Sequence, residues 1–475
     1  MRKNVMKGKF KTLLKNFCLE STYPGLKYFY LYPDCISRLF SRGFWAVSLL
    51  LLYVFAGWLA VLLYSRFSNG PTRISIKTQH APLTELPYPA ITVCSPNQMT
   101  IAAVNHLNKT LVNGNRNIDL NENIPHLLGF HERIKYNQIN ASTLQHLQGL
   151  INANRYTVRE IMALVAQSCD DFLKLCIFQQ ERQDCRKLFR PLITVHGLCC
   201  IFNSPYYFNE KRNVKDHVFE PHMATTLGRA DALTVVVDYE PEKAMDYTVG
   251  AGGGIRVYFT DWSEFPADDM NKIVYPNTES FMMIRATHTY CTDYVMELDP
   301  NSRNCTLENE LDLIYFDKYR NSDCDHLCYV RNLQSECHCL PLFLPQAKTD
   351  QVCNITDIPC IGRVRLQNFT VECNCLRDCV YNQYFVHMSL GNLHALPYML
   401  LNPYESVNFT NSTSILHMYF SGPSFVKKKQ ETVMTKVTLF SNIGGIFGLC
   451  LGFSIISIFE IIFYISKAIR NHFTR

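Results

Sequence analysis

Ser441, Asn442, Ser454 and Glu460 are polar side chains set into an otherwise apolar stretch running from about Leu439 to Tyr464. Polar groups at membrane depth are costly unless they face a bundle interior or water. Gly444, Gly448 and Gly452 recur every four residues through the same stretch, a spacing that lets helices approach closely. Such glycines also let a helix break and present backbone carbonyls to a cavity. A ring of these groups around an axis can replace a cation's hydration shell, and a carboxylate at Glu460 would draw cations to the mouth. The chemistry on offer is ion coordination. The competing reading, a helix-packing face with no pore, leaves the four polar side chains unexplained.

No constellation for bond-making accompanies these residues. The chain has no His-Glu-x-x-His, Gly-x-Ser-x-Gly or Gly-Lys-[Ser/Thr] motif. Gly250-Ala251-Gly252-Gly253-Gly254 lacks the last glycine of a dinucleotide fingerprint and leads into a strand-like run. It reads as a flexible hairpin loop. Cys337-His338-Cys339 and Cys373-Asn374-Cys375 have ligand-like spacing, but disulfides explain them better in an oxidising compartment. No metal, cofactor or enzymatic activity is expected. The formal charge of +5 does not suggest nucleic acid, since much of the excess sits in the basic lead, where attraction to membrane lipids accounts for it.

Residues of this kind work only on an element that crosses a bilayer. Phe44 to Tyr64 supplies a first uncharged run. At about 1.5 Å per residue, each stretch can cross a hydrocarbon core of about 30 Å as a helix. Arg2, Lys3, Lys7, Lys9, Lys11, Lys15, Lys27, Arg38 and Arg42, against Glu20 and Asp34, put the amino end in the cytosol. This long polar lead also argues against a cleaved signal peptide. Two spans return the carboxyl end to the cytosol, where Lys467, Arg470 and Arg475 stand. Lys427, Lys428, Lys429 and Lys436 run against that rule. The glycosylation sequons resolve it: Asn108, Asn140, Asn304, Asn354, Asn368, Asn408 and Asn411 all fall between the spans. The expected division is a cytosolic segment 1–43, a first span 44–64, an extracellular domain 65–438, a second, pore-lining span 439–464 and a cytosolic tail 465–475. Such a chain is a multi-pass plasma-membrane protein with both termini cytosolic.

Cys18, Cys35 and Cys450 lie outside the middle segment and read as free thiols; the rest of the 20 cysteines lie within it. An early group comprises Cys94, Cys169, Cys176, Cys185, Cys199 and Cys200. A dense late group comprises Cys291, Cys305, Cys324, Cys328, Cys337, Cys339, Cys353, Cys360, Cys373, Cys375 and Cys379. Spacing alone does not give the connectivity, and the odd count leaves one cysteine over. Each bridge would add about 2–4 kcal/mol. Between the groups, Leu233 to Tyr239 and Ile255 to Thr260 alternate like strands, while Val158 to Leu173 and Asp325 to Gln334 read as helices. The fold class is a membrane protein with two transmembrane helices and one large disulfide-rich α+β domain.

Four motifs occur in order. Tyr88-Pro89-Ala90-Ile91-Thr92-Val93-Cys94 follows the first span. Asp312 to Tyr319 leads into Cys324-x3-Cys328-x8-Cys337-x-Cys339. Ser441-Asn442-Ile443-Gly444-Gly445 and Gly452-Phe453-Ser454 lie in the second span. Together they resemble the degenerin/epithelial sodium channel superfamily, over nearly everything from Phe17 to Tyr464. Cys169 and the doubled Cys199-Cys200 look like its insect pickpocket branch. The resemblance implies a trimeric, voltage-independent, amiloride-sensitive channel that prefers sodium ions, as a homotrimer or with related subunits. It implies a selectivity filter at Gly452, Phe453 and Ser454 and a gate at Ser441, Asn442, Gly444 and Gly445. Motion of the external domain would reach that gate near Ser65 and Lys436.

The same resemblance implies the bridges Cys94–Cys199, Cys176–Cys185, Cys305–Cys379, Cys324–Cys375, Cys328–Cys373, Cys337–Cys360 and Cys339–Cys353. A Cys169–Cys200 bridge is added on the pickpocket likeness, which leaves Cys291 unpaired, as a buried thiol or an intermolecular link. Two departures stand out. Pro24-Gly25 occupies the N-terminal gating segment where the family carries His-Gly, so gating tuned by that histidine is in doubt. Ile361 to Gln367 holds Arg363 and Arg365 where acid-sensing relatives place carboxylates, which argues against proton gating of that kind. Two rivals share the topology: a trimeric ATP-gated purinergic receptor, and a two-span lipid-binding scavenger receptor without a pore. Neither accounts for the motifs in the second span. The stimulus is open, between force, osmotic change, a contact pheromone and another small ligand.

Overall fold

The structure is a computed structural model. It describes all residues except 1–14, 22–26, 28–34, 112–119, 132–139, 207–218, 225–227, 230–231, 267–271, 312–314, 317, 346–351, 367–372, 399–401, 453 and 474–475. In chain order the first long elements are α1 (Cys35–Asn69), β1 (Thr72–Pro82), β2 (Ala90–Cys94), α2 (Ile101–Thr110), α3 (Ala141–Ala153) and α4 (Val158–Val165). Next come β3 (Leu173–Phe178), β4 (Glu181–Gln183), β5 (Phe189–Thr194), β6 (Gly197–Phe202), β7 (Leu233–Asp238) and β8 (Ile255–Thr260). They are followed by β9 (Lys272–Val274), β10 (Thr278–Cys291), α5 (Asn321–Cys337), α6 (Ile358–Leu366), β11 (Tyr381–Asn392), β12 (Thr413–Phe420) and β13 (Ser424–Thr432). The last two are α7 (Lys436–Leu451) and α8 (Ile455–Phe473).

Two compact units result. One takes residues 1–74, 292–303 and 431–475; the other takes 75–291 and 304–430. In the first, α1 continues beyond the apolar run 44–64 at both ends, and its Arg42–Asn69 part is long and apolar enough to cross a membrane. α7 packs against α1. The second apolar stretch is not the single helix expected. It is α7 and α8 bent by 74°, long and apolar enough to cross only when α7 and Ile455–Lys467 are taken together.

The second unit carries two sheets. An eight-stranded sheet runs β1-β13-β10-β12-β7-β3-β4, with β11 also paired to β10; a five-stranded sheet runs β5-β6-β2-β8-β9. β10 is long enough to hold β12 along its first half and β13 along its second, while β11 covers its other edge. Every residue of β7 is buried, including Thr234, bonded to His417, and Asp238, which accepts the Ser412 and Thr413 hydroxyls. Leu233, Val235 and Val237 face a core shared with Ile91, Val257 and Met418, whereas Val236 faces a second cluster with Ile415 and Tyr404. That alternation follows from the two-residue period of a strand. Tyr88 sits in the shared core, edge-on to Phe178, Phe202 and Phe420, with its hydroxyl donated to Met418 O at 2.8 Å. A separate helical core joins α2, α3 and α4 to α5 and α6 through residues such as Leu107, Leu147, Ile161, Leu333 and Ile361.

Three local expectations need correcting. Val158 to Leu173 is not one helix. Thr157 and Glu160 form a capping box that starts α4, but Ala166 turns extended and Ser168 caps a new turn at Cys169–Phe172, before β3 begins. A serine that accepts the Asp171 N–H offers the backbone an alternative to continuing the helix. Asp325 to Gln334 is only the middle of α5, which starts at Asn321 and ends where His338 turns left-handed. Nor is Gly250 to Gly254 a hairpin: β7 and β8, on either side, belong to different sheets. Gly254 is needed for space, because a Cβ there would stand 2.5 Å from the Ile273 side chain.

Eight disulfides close the second unit, and they are the pairs set out above: Cys94–Cys199, Cys169–Cys200, Cys176–Cys185, Cys305–Cys379, Cys324–Cys375, Cys328–Cys373, Cys337–Cys360 and Cys339–Cys353. The doubled cysteine has a geometric reason. Adjacent residues on β6 point to opposite faces, so Cys199 meets its register partner Cys94 on β2 while Cys200 meets Cys169. Along α5, Cys324 and Cys328 lie one turn apart and reach Cys375 and Cys373 in nested order. The sulfurs of Cys337, Cys339, Cys373 and Cys375 are all spent on these bridges. Cys291 is a buried free thiol, 3.8 Å from Cys305 Sγ and donating to Cys379 O.

Candidate functional site

α7 begins with a hydroxyl cap, Thr435 Oγ1 accepting the Thr438 N–H at 3.1 Å. It ends at Gly452, whose φ of +60° is the left-handed conformation that favours glycine. The Gly452 N–H returns to Gly448 O at 2.9 Å. Carbonyls after Gly448 therefore fall outside the ladder of α7 and carry the negative end of its dipole. Past the break, Ser454 and Ser457 cap α8 reciprocally: Ser454 N–H donates to Ser457 Oγ, and Ser457 N–H donates to Ser454 Oγ. Glycine stops the first helix and serine starts the second. The bend thus gathers backbone carbonyls from the end of one helix and two hydroxyls from the start of the next inside an apolar segment, the kinds of group that can coordinate a cation.

Ser441, Asn442, Gly444 and Gly445 lie on α7, all exposed within the chain. A Cβ at Gly444 or Gly445 would meet nothing within 4 Å, so these glycines serve no packing inside one chain. Ser441 precedes Gly452 by eleven positions, about 16 Å along a helix axis. Glu460 is half-buried on α8 and accepts the Ser21 hydroxyl at 3.2 Å. Beside it, Tyr464 donates to Glu20 at 2.5 Å and its ring meets Phe17 edge-on at 5.0 Å. The helical residues 15–20 thus pack on α8, a contact that no local sequence signal announces. Phe453, Pro24, Gly25 and Asn368 lie outside the described residues. The other six sequon asparagines, Asn108, Asn140, Asn304, Asn354, Asn408 and Asn411, are exposed.

Comparison with known proteins decides the family. The family model described as amiloride-sensitive sodium channel matches residues 17–464. The chain belongs to that family. Sodium channel protein Nach of Drosophila melanogaster is 26% identical over 98% of this chain and 89% of its own length. Pickpocket protein 28 of the same species is 25% identical over 94% of this chain and 77% of its own. Acid-sensing ion channel 1C of Danio rerio is 22% identical over 96% and 84%. These are ion channels rather than enzymes, and the amiloride-sensitive sodium channel family gives this chain the same class.

One cluster in this family member escaped the sequence reading. Asp261, Glu264, Asp323 and Asp378 gather around Arg320, which donates to Ser263 Oγ at 2.9 Å and to Val380 O at 3.0 Å. Asp261 accepts from Asn382 at 2.6 Å, and Glu264 accepts the Asp261 N–H at 3.1 Å. Asp323 Oδ2 and Asp378 Oδ1 are buried without a hydrogen-bond partner among the described residues. Burial, with the Asp261 charge nearby, pushes Glu264 up to about 8. Burial pushes Asp378 up to about 6, with Arg320 pulling the other way, and raises Asp323 well above the usual carboxylate range. The carboxylates come from the loop after β8, from α5 and from the approach to β11, so no window of sequence contains them. Arg365, in the stretch where acid-sensing relatives place carboxylates, instead donates to Gly129 O and Phe130 O.

Proposed function

We propose that the chain is a subunit of a sodium-preferring, voltage-independent, amiloride-sensitive cation channel of the plasma membrane, gated by an extracellular chemical or mechanical stimulus. The observation that carries this reading is the break between α7 and α8 at Gly452. A plain anchor would be a straight helix with its carbonyls paired; this segment interrupts that ladder within its apolar stretch. Three copies around an axis, the same or related, would bring Gly452, Phe453 and Ser454 into a filter. Ser441, Asn442, Gly444 and Gly445 would form the gate about three turns away, and Glu460 the cytosolic mouth. Residues 65–438 would be extracellular and glycosylated, and both termini cytosolic, with Pro24-Gly25 near the inner mouth.

Whole-cell recording from cells expressing the chain, alone and with related subunits, tests the reading. The expected current reverses near the sodium potential, falls when potassium or a large organic cation replaces sodium, and is blocked by amiloride. A protein present at the surface that carries no current in any combination overturns it.

A further inference from the structure

A cavity of about 430 Å³ opens in the second unit, where β10 and β11 of one sheet meet β8 and β9 of the other. Phe259, Ala286 and Tyr384 are its buried apolar walls, continued by Phe385, Val386 and Val426. The Tyr384 hydroxyl is spent on Pro87 O at 2.8 Å, so what this residue leaves for the cavity is hydrocarbon. Two cations, Lys272 from β9 and Arg285 from β10, line the same space. Among the described residues neither side chain has an ion-pair or hydrogen-bond partner, whereas Arg229 is matched at 2.9 Å to Glu279, near the start of β10. The neighbouring cavity shares the Phe259 and Tyr384 walls but is lined by Asp261, Glu264 and Asp378. Arg377 also lines that second cavity, so its acids have a cation beside them, whereas Lys272 and Arg285 have no acid in the lining of theirs.

A pocket of this size, mostly apolar with a few convergent polar groups, is the usual form of a small-molecule site. We propose that it binds an amphiphilic carboxylate, a small molecule with an anionic head and an apolar body. The head pairs with Arg285, whose planar guanidinium suits a carboxylate, and with Lys272; the body lies on Phe259, Ala286 and Val426. A ligand held here ties the two sheets together. Its service as a gating stimulus rests on the channel reading above, but its binding does not.

Octanoate, methyl octanoate and octylammonium share one apolar body and differ in head charge, so they serve as probes. Calorimetric titration of the full-length chain in lipid nanodiscs reads binding without any current. Octanoate is expected to bind about tenfold more tightly than the ester, with octylammonium weakest. Lys272→Gln with Arg285→Gln should lose about tenfold of the octanoate affinity and leave the ester unchanged. Val426→Trp, which fills the space, should abolish binding while the thermal melt stays that of a folded chain. Partition into lipid ranks the ester above the carboxylate and ignores all three substitutions. That order, or no octanoate binding because another subunit covers the cavity, overturns the proposal.

Discussion

Ser21 donates its hydroxyl to Glu460 at 3.2 Å although 439 positions separate them. With Tyr464 bonded to Glu20 and stacked edge-on against Phe17, this fastens the residues before the first span to the half-helix beyond the bend. Glu460, proposed above as the cytosolic mouth, is thus also the acceptor of the Ser21 hydroxyl.

Ser21→Ala should change open probability in the wild type but add little once Glu460→Gln is present. A hydrogen bond to a charged group is worth about 1.5–3 kcal/mol, so the double-mutant cycle should show a coupling of about 1 kcal/mol or more. Strictly additive effects on single-channel open probability would show that the contact has no part in gating.

Gly452→Ala places a Cβ where φ is +60°. The left-handed conformation costs a non-glycine residue about 1–2 kcal/mol, enough to favour a straighter segment. The expected result is loss of discrimination between sodium and potassium, read as a shift of reversal potential under biionic conditions. Retained selectivity would mean that the bend does not shape the filter.

Cys200→Ser removes the bridge to Cys169 and should cost about 2–4 kcal/mol, visible as a lower melting temperature and less protein at the surface. Cys291→Ser removes no bridge, and its hydroxyl can keep the hydrogen bond the thiol gives to Cys379 O, so it should cost far less. Equal losses in the two variants would contradict the pairing.

The acid cluster gives stability a pH dependence of definite sign. Glu264 stands at about 8 in the folded chain against an ordinary value of 4.5. The folded state then keeps a proton that the unfolded chain releases. Its contribution is fully present below the lower value and is lost as pH rises through the upper one. Asp378, raised to about 6, acts in the same direction over the acidic part of that window. The melting temperature should fall between about pH 5 and about pH 8, and Glu264→Gln should flatten the fall. A melting temperature that rises over this range would show that the carboxyl is not protonated when folded.

Much of this architecture was legible because its determinants are local. An uncharged run makes most of α1, and the alternation and β-branching of Leu233 to Asp238 make β7, whereas the bend at Gly452 departs from the single helix expected of the second apolar stretch. The Cys199–Cys200 pair could be read only through its likeness to a family, since the choice of partners depends on which strand lies beside β6. Other features are non-local. The helix that starts at Val158 stops at Val165, and Ser168 caps a new turn where the apolar period would have carried the helix on. Nothing near Gly250 tells that β7 and β8 lie in different sheets. Lys272 and Arg285 acquire meaning only when β9 and β10 bring them to one cavity.

The central claim is that Ser441 to Ser454 lines a cation pathway with its gate at Ser441. Voltage clamp of cells expressing Ser441→Val, with external sodium exchanged for a large organic cation, tests it most directly. A bulkier side chain at this exposed position of α7 should hold the gate open without any stimulus. The account predicts a constitutive inward current that disappears when sodium is removed. Surface-expressed protein with no current, alone and with every related subunit tried, would contradict it.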